Sequence, residues 1–295
     1  MKMPFARLST GAALALALSA CASLGSAPIT GDSVGTIRTG VAAARAQAQT
    51  SFADADKLAL DQDVEWRLSQ PAPALQESDF PVPVVAADAK AWDDAFGALD
   101  GYCAALQKLV GPETSAGAGD AIASLGQQLN AGPINAKVPG AVQAVFATFG
   151  QALIQAKDEK AATDVMRKVD PAFQQVVLGM ADAIGASPTP GTLQGAVKSN
   201  WTVALARISL AYGKAAGADD RRAQIQAYVT AIKGRDAQLA SLSDLHGSLL
   251  ALGQAHTAAA NGKPADAAFW IGRISGWLDE VKQREAAAQQ AKVAK

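Results

Sequence analysis

The sequence predicts an all-α protein, an elongated antiparallel bundle of about seven or eight helices, several of them long. Three observations predict it. Apolar residues recur every three or four positions through long stretches, the spacing that lines one face of a helix. Proline and glycine cluster at a few places and are scarce between them, so the breaks are sharp. No run of four to eight residues alternates in strand fashion between turns; Val82 to Val85 comes nearest, and Pro83 inside it demotes it.

Residues 1–20 stand apart from this pattern. Lys2 and Arg7 make the start basic, and Ala12 to Leu18 is an apolar run well short of the roughly 20 residues a spanning helix needs. That is the layout of an export signal, and it is excluded from the fold. Leu18-Ser19-Ala20 leads directly into Cys21, which resembles the lipobox of bacterial lipoproteins. The resemblance implies that Leu18, Ser19 and Ala20 are read by a dedicated signal peptidase, that cleavage precedes Cys21, and that Cys21 carries a covalent diacylglycerol. A single acyl chain holds a protein only marginally, whereas two or three chains on one residue make a lasting anchor. Ala22, in place of Asp, is similar to the sorting pattern for the outer membrane, with the body facing the periplasm.

After the anchor, residues 21–31 are small and turn-forming and read as a flexible tether to a helical body over 32–295. Asp32-Ser33 offers an N-cap, and Val34, Ile37, Val41, Ala44, Ala48, Phe52 and Ala55 line one face of a first helix reaching about Gln70. Pro71, Pro73, Pro81 and Pro83 make 71–83 a loop. Trp92, Phe96, Leu99, Cys103, Leu106 and Val110 then give a clean amphipathic stripe that ends at Gly111-Pro112. Shorter patterns mark helices at 119–130, on Ile122, Leu125 and Leu129, and at 138–158, on Val142, Phe146, Phe149 and Leu153. A stripe from Met166 to Ile184 stays in phase across Asp170-Pro171, which predicts either a kink or a restart with Asp170 as N-cap.

The Pro/Gly-rich break at 187–191 is the place to divide the body, if it has two lobes, into 32–186 and 191–295. Beyond it Val197, Trp201, Leu205, Ile208 and Tyr212 mark a helix. A very long one follows from Asp219-Asp220 to about Ala260 on Ile225, Tyr228, Ile232, Leu239, Leu242, Leu245, Leu249 and Leu252. Asn261-Gly262-Lys263-Pro264 turns the chain into a last helix on Ile271, Ile274, Leu278 and Val281.

With a net charge of −1 and 18% charged residues, the composition is globular and lacks the basic excess that nucleic-acid binding needs. With Cys21 acylated, Cys103 is the one remaining thiol, so no intramolecular disulfide forms, and its place on a stripe makes it a small buried residue. Asp54, Asp56, Asp61, Asp63 and Glu65 resemble a calcium loop in their density of oxygen atoms alone. Leu58 and Ala59 stand where a ligand and a turn glycine belong, so these acids read as a solvated face. His246 and His256, ten residues apart on one helix, point about 80° away from each other and cannot pair as a zinc motif does; both read as structural. Gly117-Ala118-Gly119 lacks the strand and lysine of a phosphate loop, and no Gly-x-Ser-x-Gly elbow occurs.

No catalytic, metal or cofactor constellation emerges, and the lipid on Cys21 is the only added group expected. Trp270, Arg273 and Trp277 form a second line on the last helix, either core packing or a cation between two rings offered to a partner. The functional expectation is a lipid-anchored structural or protein-interaction component of the bacterial cell envelope. It contacts the membrane through its anchor and an envelope protein through its body. The alternative is a ligand-binding or sensor lipoprotein with a site between helices.

Overall fold

The computed structural model describes residues 29–68, 75–79, 86–110 and 159–293. The signal segment 1–20, with Leu18, Ser19 and Ala20, as well as Cys21 and the helices read at 119–130 and 138–158, lies outside the described residues. Among the described residues the protein is all-helical. Its helices are α1 (Gly31–Leu68), α2 (Ala86–Val110), α3 (Glu159–Ile184), α4 (Leu193–Lys214), α5 (Ala218–Ala260) and α6 (Pro264–Val293). A short 3-10 turn, Glu77–Asp79, lies between α1 and α2, and Arg67 at the end of α1 pairs with its Asp79.

The stripes of α1, α2 and α3 are buried faces. Every member of the α1 stripe from Val34 to Ala55 is buried, as are Trp92, Phe96, Leu99, Cys103 and Leu106 on α2 and Met166 through Ile184 on α3. Burying each large side chain fully contributes about 1.5–3 kcal/mol, so the apolar stripes, more than any single bond, hold the helices together. One continuous buried cluster draws on α1, α2 and α3 before the break at 185–192 and on α4, α5 and α6 after it.

Polar contacts fix the directions. Arg38 binds Asp100 through two bonds of 2.6 and 3.0 Å, and Arg45 binds Asp93 at 2.7 and 2.6 Å, so α2 runs antiparallel to α1. On α5, Ser248 donates to Gln47 at 2.8 Å, Ser241 lies 3.0 Å from Ser51, and Gln238 donates to the Asp54 carbonyl at 2.6 Å, so α5 is also antiparallel to α1. Glycines allow close approach at two further seams, α1 with α6 and α3 with α5. A Cβ at Gly40 would fall 2.4 Å from Ile271 Cδ1, and one at Gly253 would fall 2.5 Å from Gln174 Oε1.

The structure adds two details to these readings. The tether was expected to run through residue 31, yet Ile29 is 2% exposed, its N–H donates to Thr163 Oγ1 at 3.1 Å, and α1 begins at Gly31. An apolar side chain with core within reach gains more by packing than by remaining in a tether. Asp170 is not an N-cap: α3 continues through Pro171, and the Asp170 side chain turns towards α5 instead.

The break at 185–192 is as sharp as its composition suggests. Gly185 ends α3 at φ +90°, and the Thr192 side chain caps α4 by accepting from Gly195 N at 3.1 Å. At the other hairpin Gly262, at φ +70°, closes α5, and Pro264 opens α6, where its missing N–H costs nothing.

Candidate functional site

The most chemically equipped cluster is buried. His256 on α5, fully shielded from solvent, sits between Tyr102 of α2 and Asp170 of α3: Tyr102 Oη lies 2.9 Å from Nε2, and Asp170 Oδ1 lies 2.7 Å from Nδ1. Phe173 stacks on the imidazole at 4.0 Å with rings 10° from parallel. Thr257 donates to the same carboxylate at 2.9 Å, and Gln174 Nε2 bridges to the Gly253 carbonyl at 2.7 Å.

Burial pushes the His256 pKa down, outweighing the pull of the Asp170 carboxylate. For Asp170 burial pushes upward, but the bonds from His256, Thr257 and Gln174 together hold it below the usual carboxylate value. A neutral imidazole beside an ionised carboxylate donates from Nδ1, which leaves Nε2 to accept from the Tyr102 hydroxyl. The hydroxyl–imidazole–carboxylate order is that of a nucleophilic relay. Tyr102, however, is fully buried, and none of the three residues lines the groove described next.

A groove of about 800 Å³ lies at the start of α4. Phe52, Trp92, Ile184 and Leu193 form its apolar floor, and Lys198, Ser199 and Thr202 stand along α4. Among the described residues no three His, Cys, Asp or Glu side chains converge as metal ligands, and Asp54 to Glu65 lie along the continuous helix α1. Cys103 is buried, and burial first, then the nearby Asp100 charge, pushes its thiol up to about 12.

The structure does bring Trp270, Arg273 and Trp277 together. The Arg273 guanidinium stands 5.5 Å from the Trp270 ring and 4.8 Å from that of Trp277. Trp277 packs over Gly247, whereas the neighbouring Phe269 is 61% exposed. The two rings are therefore shared between packing and surface.

The chain matches no protein-family model, no curated protein and no solved structure.

A surface remains that the stripes did not mark as exposed. Beyond the Asp54–Gln238 bond the core thins to α1, α4 and α5, tied by Arg207, which donates to the Gln62 carbonyl, and by Trp201, which donates to Gln238 at 2.7 Å. Here Leu60 and Val64 on α1 are 38% and 46% exposed, Leu210 on α4 is 67% exposed, and Ile225 and Val229 on α5 are 52% and 45% exposed. Ile225 and Tyr228 belong to the predicted α5 stripe, but α4 covers a different face, the one carrying Ala231 and Gly234. Periodicity locates an apolar face; it does not say whether a neighbour covers it.

Proposed function

We propose that this chain is a lipid-anchored lipoprotein of the bacterial outer membrane, facing the periplasm. In this reading it is an elongated antiparallel bundle of seven or eight helices acting as a structural or interaction component of the envelope. The observation that carries the interaction reading is the uncovered distal apolar surface on α1, α4 and α5, since such surface rimmed by charge marks an association site. The anchor rests on the lipobox resemblance at Leu18 to Cys21.

The two ends then have different roles. Ile29 is packed at the proximal end, where α1 begins near Val110 of α2 and Thr163 of α3. Eight residue steps separate it from Cys21, so the anchor lies within about 28 Å of that end. Leu60 lies about 45 Å further along α1, a distance that lets an anchored body present its distal surface away from the bilayer.

Replacing Cys21 by Ala tests the anchor: the acylated mass and the membrane-bound fraction both disappear, and a chain that stays membrane-bound without an acyl mass overturns it. Photocrosslinkers at Leu60 and Val229 test the surface in cells. Discrete adducts support it, and their absence at both positions overturns it. The roughly 800 Å³ groove favours a second reading, a ligand-binding lipoprotein. Saturable thermal stabilisation by a small molecule, lost on changing Thr202 to Trp, would establish that reading.

A further inference from the structure

We infer that the occupant of the distal surface is a second copy of this chain, with the α1 stripe of each copy packed against the α5 stripe of the other. The inference rests on the interaction reading above and names its partner. Two apolar stripes are exposed at this end, and the charges beside them are predominantly of opposite sign, acidic on α1 and basic on α5. On α1, Leu60 and Val64 are flanked by the exposed Asp61 and Glu65. On α5, Ile225 and Val229 are flanked by the exposed Arg221, Arg222 and Lys233.

The present partners of these charges hold them weakly. Asp61 pairs with Lys57 on its own helix with both side chains more than half exposed, and Arg222 pairs with an almost fully exposed Asp219 at 3.3 Å. Such pairs are exchangeable at little cost. The proposed two-fold pairing engages both stripes of each copy at once, with Arg207 and Gln238 holding α1, α4 and α5 together at this end. An acidic-bordered stripe then meets a basic-bordered one twice. A partner carrying only one charge sign would meet like charge beside one of the two stripes. With Lys2 and Arg7 removed by cleavage before Cys21, the chain carries a net charge of −3, too small for strong long-range repulsion against its own copy.

The test uses two differently tagged full chains in one cell, one carrying Val64→Cys and the other Val229→Cys. Cys21 is acylated in the proposed reading and Cys103 is buried, so neither native thiol competes. Oxidation is expected to link the two tags into one species of twice the chain mass. Arg221→Glu with Arg222→Glu should lower the linked fraction about tenfold or more. Adding Asp61→Lys and Glu65→Lys to the same chain should restore it, with helicity unchanged by circular dichroism throughout. Absence of the link, or loss that the compensating substitutions do not restore, overturns the inference. If the link is absent while the photocrosslinkers at Leu60 and Val229 capture a different protein, self-association fails and the interaction reading stands. If neither forms, both fail.

Discussion

His256 shows how much one side chain can hold. It joins α2, α3 and α5 through Tyr102, Asp170 and its own helix, and the stack on Phe173 closes the fourth side. Replacing it by Ala strips the Asp170 carboxylate and the Tyr102 hydroxyl of a partner and opens a cavity, so a loss of about 3 kcal/mol in urea unfolding is expected. Tyr102→Phe removes one hydroxyl only and should cost about 1–2 kcal/mol.

The same residues set the pH dependence. The pKa of His256 is lowered on folding, so below pH 6.5 the unfolded chain takes up a proton that the folded one resists, and stability falls as the pH drops. Asp170, also lowered, adds a further loss below pH 3.8. At the other extreme the Cys103 thiol ionises at about 9 when unfolded and about 12 when folded, so stability falls again as the pH rises through that window. Urea midpoints measured at pH 5, 7.5 and 10 should peak at the middle value, and Cys103→Ala should flatten the alkaline fall. The sequence made the burial of Cys103 legible through its stripe. It did not make the triad legible, because Tyr102, Asp170 and His256 come from three helices and no spacing links them.

At the scale of elements, the glycines separate into two kinds. A Cβ at Gly195 would meet the Thr189 backbone oxygen at 2.0 Å, and a backbone atom in a capped turn cannot move aside cheaply. Gly195→Ala is therefore expected to destabilise by about 1–3 kcal/mol. Gly101 in α2 and Gly272 in α6 have nothing within 4 Å of a new Cβ, so Ala there should raise stability by about 0.5–1 kcal/mol. Thermal unfolding of the three variants tests both signs. The helices themselves were legible from their stripes because burial follows period; α3 and α5 end where Gly185 and Gly262 take positive φ. The course of α3 through Pro171 was not, since a stripe in phase fits a continuous helix and a restarted one equally well.

For the molecule as a whole, the consequence is a gradient. Around Leu245, Leu249 and Leu252 the long α5 is enclosed by α1, α3 and α6, but its first four turns, apart from Ala231, are largely exposed. Hydrogen exchange should follow this division, with amides of 241–260 protected close to the global stability and those of 219–232 exchanging well before it. Equal protection along α5 in the monomer would contradict the gradient. Composition and periodicity indicated helices but could not show this uneven cover, which depends on the distances at which helices part.

The buried Ile29 gives the proximal end a mechanical character. A pull on the chain ahead of it does not first unwind α1 from its tip. The load passes through the Ile29–Thr163 bond and the packing around it into α3, where α1, α2 and α3 meet, and it is shared across helices before any turn of α1 is drawn out. Tension applied from the N-terminal side is thus met by the core, and the distal stripes, at the far end of α1, stay out of the line of force.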